Sequence, residues 1–399
     1  MLTAKFISHF SVNFRLFGLF IFCFFVVIDF AGIQNVRSES ERSQIVIPAT
    51  SPTPTPTPEK THNVVAAYYN VENFPTAELL LNNKDIVARE IRPTLYNLNG
   101  NVLEIAPVIV EANSHRLIDL NEWANLGGAS FRQGSLKLFH TGKDLNIGSQ
   151  VYLADVKNSL SFEERFIELG KFDSRRFESI WLMPDNQTQV TVILSNTSEE
   201  TLEVSAKLSR RPQHSGTIQI FTLLPHQTRV LDLRKDFDDG NQFANAEIVG
   251  LSLTHSGEKS ALKAHGQIKN KNKGYSNIIS FSNPNTAKSS ELYGTGLHLG
   301  TINKEELTPI VAIKNVGSVR TNVTAKFPYT RTDGTTGTVN INSINLQIGE
   351  MRLLNLNRVI QRSRQEQIEI AGIEIVADTP NAGSILVNAQ SVAENYNQV

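Results

Sequence analysis

Apolar and polar residues alternate along most of the chain beyond residue 60, and few stretches are long enough for an amphipathic helix. Successive side chains of a strand point to opposite faces, so a period of two predicts strands with one face in a core and one in water. The clearest are Glu78–Leu81, Val190–Leu194, Leu202–Leu208, Thr217–Thr222, Ile248–Leu253, Val323–Phe327, Thr338–Ile341 and Ile368–Val376. Gly, Asn, Asp and Pro separate them. Asn99-Gly100, Ser215-Gly216, Ser256-Gly257 and Asp333-Gly334 stand where hairpins need residues that tolerate positive φ. Many short strands punctuated in this way predict an all-β chain of sandwiches, with about seven strands per unit.

The pattern has a longer period as well. An Asn closing an apolar strand is followed by Arg-apolar-apolar-Asp/Asn-Leu and then by a Gly near the start of another strand. The anchors are Asn83, Arg116, Asp119 and Gly134; Asn196, Arg229, Asp232 and Gly250; Asn315, Arg352, Asn355 and Gly372. Matching anchors lie 113 to 116 residues apart from the first unit to the second, and 119 to 123 from the second to the third. Self-similarity at a fixed period predicts a tandem array, with units at 63–165, 166–285 and 286–399. Asp119, Asp232 and Asn355 are good N-cap residues, and Leu120 with Trp123, Leu233 with Phe237 and Leu356 with Ile360 have the spacing of one helical turn. Glu122 stands three residues after Asp119, where a capping box places its acid. The motif is therefore expected to be a strand-to-helical-turn crossover that plugs one end of each sandwich. Its Arg should bury the stem and carry the guanidinium to the rim.

The N-terminus reads differently. Lys5 and Arg15 precede the unbroken apolar run Leu16–Ile28, which Asp29 interrupts. This is the length of a signal-peptide core rather than of the ~20 residues that span a bilayer, and residues 1–33 are expected to be a signal peptide or a signal-anchor helix. Residues 34–62, which contain Ser51-Pro-Thr-Pro-Thr-Pro-Thr-Pro58, are expected to be a polar, disordered linker. Alternating Pro removes backbone donors and favours polyproline II, which at ~3.1 Å per residue extends ~25 Å. Both features predict export to the periplasm, cell surface or medium, with membrane contact only through an uncleaved N-terminal segment.

Composition narrows the chemistry. Net charge is -1 from 38 basic and 39 acidic residues, without a block of one sign, which gives nucleic-acid binding no electrostatic support. The only cysteine, Cys23, lies in the apolar leader, so no disulfide is expected beyond it. Nine histidines are scattered singly, and His115 and His226 read as exposed strand-edge residues. The acidic run Asp236-Phe-Asp-Asp-Gly-Asn241 lacks the spacing of a calcium loop, and no phosphate-cradling or nucleophile-elbow motif is present. No metal, cofactor or catalytic residue is expected. Tyr68, Tyr69, Trp123, Trp181 and Tyr293 are either core or, if exposed in a row, a platform for sugars. Lys269-Asn-Lys-Asn-Lys-Gly274 reads as a solvated turn that can touch anionic polymers.

On the segments Val192-Ile-Leu-Ser-Asn-Thr-Ser198 and Ile310-Val-Ala-Ile-Lys-Asn-Val-Gly317, and the Leu-rich strands after Leu224-Pro-His-Gln-Thr228 and Leu346-Gln-Ile-Gly-Glu350, the chain resembles tandem immunoglobulin-like β-sandwich repeats of bacterial secreted and cell-surface proteins. The resemblance covers residues 64–399. It implies a non-catalytic envelope protein with a structural, adhesive or display role. Its partner would be a cell-wall polymer, a glycan or another surface protein, and the alternative is an array of carbohydrate-binding modules. It assigns no functional residue.

Overall fold

The computed structural model describes residues 59–393 apart from 144–145, 172–173, 183–186, 210–217, 238–247, 273–274, 285–290, 303–304, 357, 360–367 and 379–384. The leader, the Pro/Thr run, Ser215-Gly216, Ile360 and most of the acidic run 236–241 lie outside the described residues. Within them the chain is predominantly β, as the alternation predicts, and no helix is long and apolar enough to cross a membrane.

The first group of strands is β1 (Lys60–Asn70), β2 (Thr76–Asn83), β3 (Arg89–Asn97), β4 (Val102–Glu104), β5 (Val108–Val110), β6 (Ser114–Asp119), β7 (Gln133–Gly142), β8 (Ile147–Asp155), β9 (Leu160–Arg165) and β10 (Ile167–Glu168). One sheet runs β10-β1-β7-β3-β4 with β5 also on β3, and the other runs β6-β2-β8-β9. The second group is β11 (Arg176–Leu182), β12 (Gln189–Asn196), β13 (Leu202–Ser209), β14 (Ile218–Leu223), β15 (Thr228–Asp232), β16 (Ile248–His255), β17 (Leu262–Asn270) and β18 (Tyr275–Ile279). Its sheets are β11-β16-β13-β14 and β15-β12-β17-β18. The third is β19 (Glu291–His298), β20 (Gly300–Ile302), β21 (Glu305–Asn315), β22 (Thr321–Arg331), β23 (Thr336–Leu346), β24 (Met351–Asn355), β25 (Ile368–Ala377) and β26 (Ile385–Ala393). Its sheets are β19-β25-β22-β23 and β20-β21-β24, with β26 on β21.

Three apolar clusters lie between these sheet pairs, so the strands bury their alternate residues locally. Leu79 and Leu81 fill the first, Trp181 and Leu194 the second, and Phe327 and Ile375 the third. Counting β4 and β5 as one strand, and β20 and β21 as one, in every pair the first strand lies beside the sixth and the sixth beside the third, while the second lies between the fifth and the seventh. An immunoglobulin sandwich shares the second–fifth and third–sixth pairings, but puts its first strand beside the second and its seventh beside the sixth. Here those two strands are exchanged between the sheets.

All eight segments singled out by alternation fall within these strands, save Thr217, which is not described. Gly100 and Gly334 adopt φ of 87° and 82°. Gly257 is not among the positive-φ glycines. What it needs is room, since a Cβ there would stand 2.2 Å from Leu202 Cδ2.

Candidate functional site

The recurring Asn is a clamp. Asn83, Asn196 and Asn315 are almost wholly buried, at 0%, 1% and 0% exposure, and a buried amide is costly unless its donors and acceptor are met. Each meets them in the same way. The side-chain oxygen accepts from the backbone N–H two residues on, at 2.9 Å from Asp85, Ser198 and Gly317. The amide nitrogen donates to the carbonyl four residues on, at 2.8 Å to Val87, 2.6 Å to Glu200 and 2.8 Å to Val319. It also donates to the last residue of the strand that precedes the Arg strand: Val110 at 3.0 Å, Leu223 at 3.3 Å and Leu346 at 3.1 Å. One side chain thus closes its own turn and pins a loop some thirty residues away, a job that suits Asn because its short stem carries one acceptor and two donors in a planar amide.

The Arg anchors share a register but not a partner. Arg116 pairs with Leu81, Arg229 with Leu194 and Arg352 with Ile313, in each case two residues before the clamping Asn. Their guanidinium groups then diverge. Arg116 donates to the Ile109 carbonyl at 3.1 Å, Arg229 stacks 4.5 Å over the Phe221 ring, and Arg352 meets Glu350 at 2.7 Å. Three exposed cations with three unlike partners do not make a repeated ligand site. The caps are as expected: Asp119 accepts from Asn121 N–H, Asp232 from Arg234 and Lys235 N–H, and Asn355 from Arg358 N–H. The backbone N–H of Asp232 is bonded reciprocally by Asp236. All three Gly anchors sit within strands, and Gly134 lies so close to Tyr96 that the Tyr96 carbonyl oxygen would stand 1.8 Å from an added Cβ.

The chemistry that local patterns did not reveal lies at the junctions between sheet pairs. At the first, Lys263 and His265 on β17 close on Glu164 of β9, with Nζ to Oε1 at 2.8 Å and Nδ1 to Oε2 at 2.6 Å. All three side chains are 6–7% exposed. Lys263 also donates to the Val65 and Arg165 carbonyls at 2.9 Å, and Glu164 accepts from Ala67 N–H at 3.1 Å. Burial alone would raise the Glu164 carboxyl, but Lys263 and His265 outweigh it and hold it below the usual carboxylate range. Around this triad, Ser195 donates to the Ala67 carbonyl, and Ile193 leaves its own sandwich to join the first core with Val230 and Ile278 beside it. His226 adopts φ 57°, stacks 4.3 Å from the Tyr96 ring and meets Glu199 at 2.9 Å. It is buried in the junction rather than exposed at a strand edge, because its partner ring comes from the preceding sandwich.

At the second junction Lys314 of β21 meets Glu178 of β11 at 2.7 Å, at 3% and 1% exposure. Ser252 donates to the same Glu178 oxygen at 2.6 Å, and Arg176 donates to the other at 2.9 and 2.6 Å. These partners overcome the upward push of burial and hold the Glu178 carboxyl low. Ile180, Leu182, Ile310, Ala312 and Met351 form an apolar cluster spanning the same junction. A cavity of ≈ 370 Å³ opens beside it, with Arg176, Lys207, Ser252 and Lys314 on its wall and Ile218 and Ile348 exposed at its lips.

Both junction carboxylates have their oxygens engaged by protein donors, so neither is poised to exchange a proton with a substrate. What the arrangement can do is hold neighbouring sandwiches together. Among the described residues no group of three His, Cys, Asp or Glu side chains could hold a metal. Of the five aromatic candidates, Tyr68, Tyr69, Trp123 and Trp181 are buried and Tyr293 is 69% exposed, so they form no row. No protein-family model, no curated protein and no solved structure matches this chain.

Proposed function

We propose that the chain is a non-catalytic, exported cell-envelope protein in which three immunoglobulin-like sandwiches form one stiff tandem unit with a structural, adhesive or display role. The term immunoglobulin-like is meant for the two-sheet architecture and the central pairings, with the first and seventh strands exchanged. The observation that carries the reading is the pair of buried junctions. Ordinary neighbouring domains in one chain meet through modest polar surfaces and move freely. These two meet through buried ion pairs sheathed in apolar contacts, which is what a rigid spacer needs. The leader and the Pro/Thr run then supply export and a stalk, the linker reaching ~25 Å if fully extended. A sugar-binding array is the less favoured reading because four of its five candidate rings lie in cores.

The test is cell fractionation of the full chain with surface proteolysis, read beside a glycan array. The expected result is an envelope-bound protein whose three sandwiches survive digestion together and which binds no defined sugar. A cytosolic product, or specific retention of one glycan, would overturn it.

A further inference from the structure

The sheet β6-β2-β8-β9 of the first sandwich is the counterpart of two sheets that the junctions bury. Register fixes the equivalence. Leu80, Ile193 and Ala312 each stand three residues before a clamping Asn, and Leu117, Val230 and Leu353 each follow the Arg. Ile193 and Val230 pack on the first core, and Ala312 and Leu353 pack in the second junction. Leu80 is only half-buried, and Leu117 is 57% exposed beside a cavity of ≈ 390 Å³ that Glu78, Arg116 and Trp123 also line. At the far end, β19 and β25 hold the places that β11 and β16 occupy at the second junction. Tyr293 pairs with Glu374 as Glu178 pairs with Ser252, and Ile370 precedes Gly372 as Ile248 precedes Gly250. Ile248 packs against the junction cluster, whereas Tyr293 and Ile370 are 69% and 40% exposed.

We propose that these two ends bind each other in successive copies of the chain, the Tyr293 surface of one copy seating on the Leu80–Leu117 sheet of the next. The inference rests on reading the three sandwiches as copies of one module. The occupant is a second copy because the two ends match in charge. Lys314 stands one residue before its clamping Asn, and the same place in the first sandwich is Asn82; the place of Glu178 in the third is Tyr293. Both members of the buried ion pair have become neutral and polar together. A junction of the same geometry between copies would set Tyr293 against Asn82 and bury no unpaired ion, which a partner retaining either charge would do at considerable cost. Glu374 keeps its own cation, Lys326, at 2.7 Å. A head-to-tail contact of this kind is heterologous, so it closes into a ring or continues as a filament.

The test is a disulfide trap in the full chain with Cys23→Ser. Asn82→Cys and Tyr293→Cys are both on exposed side chains, clear of the cores. After oxidation of lysed cells, the double variant should run on a non-reducing gel as a ladder of dimers, trimers and higher species. Each single variant should stay monomeric, and adding Leu117→Asp should collapse the ladder. A double variant that remains monomeric, a dimer from either single variant, or a ladder indifferent to Leu117→Asp would each overturn the proposal. Limited proteolysis of the same samples separates the two readings: three sandwiches protected as one fragment, with no ladder, remove the contact between copies and leave the tandem unit standing.

Discussion

Lys314 and Glu178, 136 residues apart, meet at 2.7 Å with both side chains nearly sealed from water. The contact joins the second strand of the third sandwich to the first strand of the second. A buried pair is poor evidence of net stability, since taking two charges out of water costs about what their attraction returns. It bears instead on specificity, because either charge left alone in the junction is heavily penalised. With Arg176 and Ser252 it leaves one relative placement of the two sandwiches in which every charge is met.

Lys314→Met should therefore destabilise the chain by about 3 kcal/mol, the lower end for a broken buried pair, because Arg176 and Ser252 still hold Glu178. Adding Glu178→Leu should recover most of the loss, since an apolar pair fits a junction already lined by Ile180 and Ile310. Urea unfolding of the parent and both variants measures this. A single variant as stable as the parent would mean that solvent reaches Glu178.

The three Asn clamps should respond alike. Asn→Ala at 83, 196 or 315 leaves buried carbonyls and an N–H unmet, at roughly 1–3 kcal/mol for each group left unsatisfied. Asn→Asp should be worse at each site, because a carboxylate oxygen would replace the amide nitrogen that faces the carbonyls of Val87 and Val110, Glu200 and Leu223, or Val319 and Leu346. Denaturation midpoints for the six variants test the order. A tolerated Asp at any site would show that the clamp is not what holds that turn.

How much of this was legible depends on how far apart in sequence the cause lies. The strands rest on near neighbours, so alternation found them; the recurrence marked the three Asn residues, but not the carbonyls some thirty residues on that each of them holds. The junctions rest on residues about a hundred positions apart, and no local pattern pairs Glu164 with Lys263. One signal was present. Val192, Ile193 and Leu194, and Ile310 to Ile313, are unbroken apolar runs with every residue at 0% exposure, the mark of a strand buried on both faces. Leu79-Leu80-Leu81 has the same form with only its middle residue half-buried, which is why the first sandwich has a face that looks ready for a partner. His226 misled for the same long-range reason, since the ring that buries it belongs to Tyr96.

Acid should weaken the fold before its carboxylates titrate. Burial lowers the imidazoles of His140 and His255 below their ordinary value. Below pH ~6.5 the unfolded chain then takes up protons that the folded chain refuses, so stability falls as pH falls. Glu164 and Glu178 have lowered values, so their contribution is present above the unfolded carboxylate range and is lost only further into acid. The window from pH 7 to pH 5 therefore isolates the histidines. Urea midpoints at the two pH values should fall for the parent and change much less for the double variant His140→Gln, His255→Gln. An equal fall in both would place the proton uptake elsewhere.

Two glycines that flank the helix-to-strand passage of the first sandwich should differ in what a Cβ costs. Gly128 has φ 74° and ψ -164°, a region essentially confined to glycine, with nothing within 4 Å of an added Cβ, so Gly128→Ala meets only the backbone penalty of about 1–3 kcal/mol. At Gly134 a Cβ would stand 1.8 Å from the Tyr96 carbonyl oxygen and 2.9 Å from Asn97 Cα, on a strand already paired to Asn97 on one side and Tyr69 on the other. Backbone on both flanks cannot give way as a side-chain tip would. Gly134→Ala should thus cost about 3 kcal/mol or more, the upper range for overpacking, and break the β3–β7 ladder at its end. Amide exchange at Leu95 and Tyr96 reads the ladder directly, and melting temperatures of the two variants read the difference. Equal melting temperatures would show that β7 can shift, and that the Gly among the recurring anchors is there for another reason.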